Sequence, residues 1–149
     1  MKTNLRFFPL LILSLMTFAP APGFAKYAVP IHAAIIVASN EGSDYDLIND
    51  AYRDQLINLF SYTFYHQKDD VKIHLQKGKR EKLDLPDGYE LMLTLQDVEK
   101  DRLLIQALIR KNGQQYVYTV LSLLRPGVVF LGGPPAENGS LIIVLETSF

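Results

Sequence analysis

The sequence predicts an α+β domain that is mostly antiparallel β, either a sandwich-like pair of sheets or one sheet with a single covering helix. Three observations carry that expectation. From residue 61 onward, short segments alternate apolar and polar side chains with the two-residue period of half-buried strands. Turn residues separate them: Pro86-Asp87-Gly88, Asn112-Gly113 and Arg125-Pro126-Gly127. Only one stretch, residues 44–60, spaces its apolar residues as a helix does. A chain of 149 residues suffices for one such domain, not two, and 48% hydrophobic composition supplies its core.

The first 25 residues read as an address. Lys2 and Arg6 precede an apolar run, Phe7 to Ala19, and Gly23-Phe24-Ala25 ends it with small residues where a signal peptidase reads them. Pro20 and Pro22 interrupt the run before it reaches the ~20 apolar residues that a bilayer span needs. The expectation is a secretory leader cut after Ala25, leaving residues 26–149 as a single exported domain in the periplasm or outside the cell, with no membrane span. The leader holds two cations and no acid, so the mature chain keeps thirteen Lys+Arg against sixteen Asp+Glu, net −3. That balance argues against nucleic acid as a partner, because phosphate binding needs a basic surface. Cys is absent, so neither a disulfide nor a lipid-attachment thiol is available, and the domain must stand on packing alone.

The mature elements follow in order. Residues 31–39 (IHAAIIVAS) are apolar and β-branched, a buried strand. Ser43 or Asp44 can cap a helix over 44–60, with Asp46 and Asp50 near its positive end and Ile48, Tyr52, Leu56, Leu59 and Phe60 on one stripe. Residues 61–67 and 71–76 alternate as two strands, and 77–85 form a charged connection. Three long strands then make a meander. With Asn112-Gly113 as a two-residue loop, Ile109 faces Tyr116, Ala107 faces Tyr118 and Ile105 faces Val120. A three-residue loop at Val98-Glu99-Lys100 sets Leu95 opposite Leu103 and Leu91 opposite Ala107, which keeps the apolar side chains on one face. Residues 128–131 are a short strand, 132–139 an exposed loop, and Leu141 to Glu146 a strand apolar on both sides, hence central.

Under that register the second face of the meander carries Met92, Leu104, Leu108, Val117, Leu121 and Leu123, too apolar to stand in water. The helix, a second sheet or a partner must cover it. Leu104, Leu108, Val117 and Leu121 are therefore the candidate partner-binding residues, toward a protein partner or a second copy.

Catalytic patterns do not emerge. Without Cys there is no thiol nucleophile, and no Ser sits in a Gly-x-Ser-x-Gly elbow. The three His (His32, His66, His74) lack zinc-enzyme spacing; His66 and His74 could meet across a hairpin near Asp69 or Asp70, which is a common coincidence. The expectation is a protein with no catalytic, metal or cofactor-binding residues. Eight Tyr against four Phe in residues 26–149 favour surfaces that are apolar in body and polar at the tip.

As a whole, the pattern resembles small exported bacterial proteins of uncharacterised function. The residues that carry the resemblance are Ala38-Ser39-Asn40, Leu59-Phe60 with Tyr62 and Tyr65, Leu85-Pro86-Asp87-Gly88, Leu131-Gly132-Gly133-Pro134 and Gly139-Ser140-Leu141-Ile142-Ile143-Val144-Leu145. These are turn and core residues, so the resemblance implies a shared fold and export. The function expected is a non-catalytic exported interaction module, an accessory of an envelope assembly. The alternatives are a small outer-membrane β-barrel, suggested by Leu141, Ile143 and Leu145 alternating toward Phe149, and a small hydrolase without a recognisable motif.

Overall fold

The computed structural model describes residues 27–42, 45–46 and 52–148. The leader, the Ser43 or Asp44 cap and Ile48 lie outside the described residues. Two β-sheets pack face to face. The first has five strands in the order β2-β3-β1-β9-β8, and the second has four in the order β4-β5-β6-β7.

β1 (Ala28–Ser39) is the expected buried strand, and its lack of alternation has a direct cause. Val29, Ile31, Ala33, Ile35 and Val37 point into the core between the sheets, whereas Ala34, Ile36 and Ala38 point out beneath a second apolar layer. β9 (Gly139–Thr147) repeats this arrangement: Leu141, Ile143 and Leu145 face in, Ile142 and Val144 face out. It lies between β1 and β8 (Gly127–Ala136), the central position its apolar run predicts.

The outward faces of β1 and β9 are covered by α1 (Arg53–Leu59) through Leu56, with Tyr52 just before it and Phe60 and Tyr62 after it. This helix is much shorter than the 44–60 expected. Tyr45–Asp46 instead form β2, a short parallel pairing with Tyr65 and His66 of β3 (Phe64–Gln76). Only Leu56 of α1 is buried; Leu59, expected on the apolar stripe, is 61% exposed. One turn of contact suffices because Tyr65 reaches up from β3: its buried hydroxyl donates to the carbonyl oxygens of Leu56 (3.2 Å) and Phe60 (2.9 Å). The Phe60 carbonyl beyond the helix end is thereby satisfied from the sheet, and the Leu56 carbonyl, which already accepts the Phe60 N–H, gains a second donor.

β3 is one strand where two were expected. Its register against β1 steps between Ile35, opposite Asp69, and Ile36, opposite Gln67, leaving Lys68 as the extra residue of a bulge. That residue flips the alternation. Val71, Ile73 and Leu75 pack toward the core between the sheets, whereas Tyr65 belongs to the layer beneath α1.

The charged connection expected at 77–85 also contains a strand, β4 (Arg80–Asp84), paired with β5 (Glu90–Glu99). Arg80, Lys82 and Asp84 stand on one side of its pleat, and the other side carries Leu83 against the core. β5, β6 (Arg102–Lys111) and β7 (Gln114–Leu124) form the expected meander. The β5–β6 loop is Lys100-Asp101, with a bulge at Gln96, so Leu95 faces Ile105 and not Leu103. The offset is two residues, and the core face is unchanged. The Asn112-Gly113 turn is as expected, with φ of 51° and 79°. Two residues later the derived register fails. Arg110 faces Gln115, but Ile109 faces Val117, so Tyr116 is bulged out. From Val117 onward the two faces of β7 are exchanged.

The segment 132–139, expected as a loop, continues β8 through Gly132-Gly133-Pro134-Pro135 with an irregular register, which an edge strand tolerates. The β8–β9 turn is Glu137-Asn138, both at positive φ. Its Glu137 N–H donates to Asp87 Oδ2 (2.8 Å), tying this hairpin to the Pro86-Asp87-Gly88 turn of the other sheet.

Two glycines separate strain from crowding. Gly113 (φ 79°) has no atom near a would-be side chain, so Gly113→Val should cost about 1–2 kcal/mol from backbone strain alone. A Cβ at Gly139 would drive into the Ala38 carbonyl oxygen on the neighbouring strand. Gly139→Ala should therefore cost more than about 2 kcal/mol despite adding less volume. Urea melts of the two variants give this order; the reverse order would count against the β1–β9 register.

Candidate functional site

The second sheet turns one face to the core and leaves the other without a covering layer among the described residues. Register places four rows across this outer face. Asp84, Glu90 and Arg110 align at one end; next come Lys82, Met92, Leu108 and Tyr118; then Arg80, Thr94, Gln106 and Val120; and last Leu104 and Ser122. Charge is concentrated toward β4 and falls away toward β7.

The charged side is internally paired. Glu90 accepts from Lys82 on one flank and from Arg110 Nε (2.9 Å) on the other, and Lys82 also lies 3.3 Å from Asp84. Hydrogen bonds from Lys82, then Arg110, hold the Glu90 carboxyl below the usual carboxylate range. The same contacts, Glu90 first and Asp84 second, raise the Lys82 ammonium above its ordinary value.

The β7 side is apolar and open. Tyr118 and Val120 are 58% and 55% exposed, Tyr116 is 44% exposed, and Leu104 and Leu108 beside them are half-buried. The four candidate residues are thus not brought together. Leu104 and Leu108 lie on the outer face, while Val117 and Leu121 pack against the core between the sheets. The cause is the Tyr116 bulge, which turns Tyr118 and Val120 outward in their place. Because β7 carries apolar residues at both parities through Tyr116-Val117-Tyr118, its alternation does not reveal the step. In the structure the Tyr116 ring meets Tyr89 edge-on at 5.1 Å, with the Lys111 ammonium 4.9 Å from the Tyr89 ring. The Tyr89 hydroxyl is held above its ordinary range, by burial first and by Tyr116 next.

Among the described residues β7 also ends its sheet, pairing with β6 alone. Over eleven residues (QQYVYTVLSLL) it has no charge, no Pro and no Gly. The other terminal strands differ. β2 has two residues, β4 has four charges in five residues, and β8 carries Gly132-Gly133-Pro134-Pro135 with an irregular register. Shortness, charge and Pro are devices that keep an edge from pairing with another chain. β7 has none of them beyond the bulge near its start.

A polar cluster sits on the outer face of the five-stranded sheet. His32 Nε2 contacts Asp70 Oδ1, and its Nδ1 lies 3.7 Å from Glu146 Oε2. Tyr52 donates its hydroxyl to Glu146, and Gln67 Nε2 donates to Asp70 Oδ2 (3.0 Å). These contacts tie β1, β3, β9 and the start of α1 together at the border of the apolar layer. A cleft of about 170 Å³ adjoins them, lined by Pro30, Ile31, His32, Lys72, His74 and Ser148. His66 and His74, weighed above as partners across a hairpin, stand on one continuous strand, with His66 stacked on Phe64 at 6.3 Å. Among the described residues, no three His, Asp or Glu stand where they could hold a metal ion. Nothing in the sequence pattern announced this cluster, because its members come from three strands and a helix start.

Comparison of the chain with family models, curated proteins and solved structures returned no match.

The Glu90 triad yields a pH test. Its folded-state pKa is depressed, so its contribution is present above the unfolded-state value and is lost as pH falls through the folded one. Glu90→Gln should remove that part of the acid loss, giving a shallower decline of urea stability below the usual Glu range. An acid limb identical to that of the unaltered protein would show that the pairing adds nothing.

Proposed function

We propose that this protein is an exported, non-catalytic interaction module that receives a protein partner on β7 and on the outer face beside it. The observation that carries the reading is the neutral, unguarded edge strand with Tyr118 and Val120 more than half exposed next to Leu104 and Leu108. An aromatic and aliphatic row with a charged rim toward β4 has the make-up of a recognition surface, where Tyr gives contact area at low entropic cost. Export is supported by the basic start, the apolar run and Gly23-Phe24-Ala25. No helix among the described residues is long and apolar enough to cross a membrane. An accessory of an envelope assembly is the role this combination suits, because such a component works by contact.

The reading has two separable tests. Protein recovered from cells making the full chain should begin at Lys26; recovery beginning at Met1 would remove the export reading. A photo-crosslinking residue at Val120 should give discrete polypeptide adducts in the envelope fraction, and they should fall when Leu108→Asp is added. The same crosslinker at Ile57, an exposed residue on α1, should not give them. Equal adducts at both positions, or none at Val120, would sink the docking surface.

A further inference from the structure

We infer that the occupant of the β7 edge is a second copy of this chain, paired antiparallel to β7 about a two-fold axis. The two four-stranded sheets then form one continuous sheet of eight strands. This rests on the reading of β7 as the binding element and specifies what binds it.

Charge gives the first argument. β7 pairs with itself without bringing any like charges together, because it holds none. β4 cannot do so: its run Arg80-Glu81-Lys82-Leu83-Asp84 would set Lys82 against Lys82 about its own centre. Termination gives the second. Joining at β7 leaves β4 at both ends of the enlarged sheet, so each new edge is short and charged. Association stops at two copies, as closed two-fold symmetry requires. A protein whose edges were all unguarded would form open assemblies, and one with every edge guarded would pair with nothing. Among the described residues, one long uncharged edge is matched with a guarded opposite edge in the same sheet.

Register gives the third. With the axis on Thr119, Thr119 faces Thr119 of the second copy, Tyr118 faces its Val120, and Val117 faces its Leu121. Outward residues then meet outward residues and inward meet inward, given that Val117 and Leu121 pack against the core while Tyr118 and Val120 are exposed. Thr–Thr and aromatic–β-branched pairs are favourable cross-strand neighbours. Moving the axis by half a residue mixes the two faces, and moving it to Val120 sets Tyr118 against Ser122. With the axis there, the Tyr116 bulge limits regular pairing to residues 117–121 of each copy, about 17 Å of strand.

The test is a charge exchange across the predicted pair. Protein purified from cells exporting the full chain is examined by sedimentation between about 1 and 100 µM, a window in which a dimer with micromolar affinity would dissociate. The unaltered protein should be dimeric at the upper end. Tyr118→Lys and Val120→Glu, each alone, should weaken the dimer by about tenfold or more while leaving the thermal melt cooperative. Mixed in equal amounts, the two should recover the dimer, because Lys at 118 of one copy then faces Glu at 120 of the other and the second site stays Tyr118–Val120. An unaltered protein that stays monomeric throughout overturns self-pairing; if it still gives adducts at Val120 in cells, the docking surface stands with another occupant. A dimer that both single variants leave intact places the interface elsewhere and overturns the inference. So does a loss that the mixture fails to restore.

Discussion

β1 and β9 carry apolar side chains on both faces, and each face needs a cover. That constraint shapes the rest of the molecule. The inner faces, Val29 to Val37 on alternate positions and Leu141, Ile143 and Leu145, require a second sheet, which the β4–β7 meander supplies. The outer faces require a smaller lid, which Tyr52, Leu56, Tyr65 and their aromatic neighbours supply. With no disulfide to staple it, the domain depends on this two-sided burial for its stability. The layer beneath α1 uses up the only α-helix among the described residues. Among the described residues the outer face of the β4–β7 sheet is left without a comparable cover, and the candidate interface arises there.

The links between the sheets show how the arrangement is held in register. Asp87 accepts from the Glu137 N–H at one end of the sandwich. At the other end the Arg125 N–H donates to Asp101 O (2.8 Å) and the Thr147 hydroxyl donates to Leu124 O (2.9 Å). Each bond satisfies a backbone or side-chain group at a turn or strand end, where an unpaired group would be costly. The bonds from Arg125 and Thr147 hold the end of β7, and the Tyr116 bulge sets which of its faces turns outward.

Much of this was legible from residue patterns. Asn112-Gly113 announced its turn because two successive positive φ angles favour those residues. β1 and β9 announced their central positions because a strand covered on both sides has no reason to alternate. The bulges at Lys68, Gln96 and Tyr116 were not legible. A bulge is chosen by packing between strands distant in sequence, and each of these occurs where either parity offers acceptable side chains. The cost of missing one depends on its place. Gln96 changed partners without changing faces, whereas Tyr116 exchanged Val117 and Leu121 for Tyr118 and Val120 on the outer face. β4 was hidden for another reason: as a charged edge strand it shows only Leu83 to the core, too little for a periodic signal.

An interface on β7 joins the guarded and unguarded edges, the neutral outer row and the position of the bulge in one account. Its most direct measurement is amide hydrogen exchange along β7, read at low and at high protein concentration. Amides of β1 and β9 should exchange slowly at both, since both strands are paired on each side within one chain. In β7 every second N–H between residues 117 and 121 points away from β6, and these should pass from fast exchange when dilute to slow exchange when concentrated. Rates along β7 that are the same at both concentrations would contradict the account.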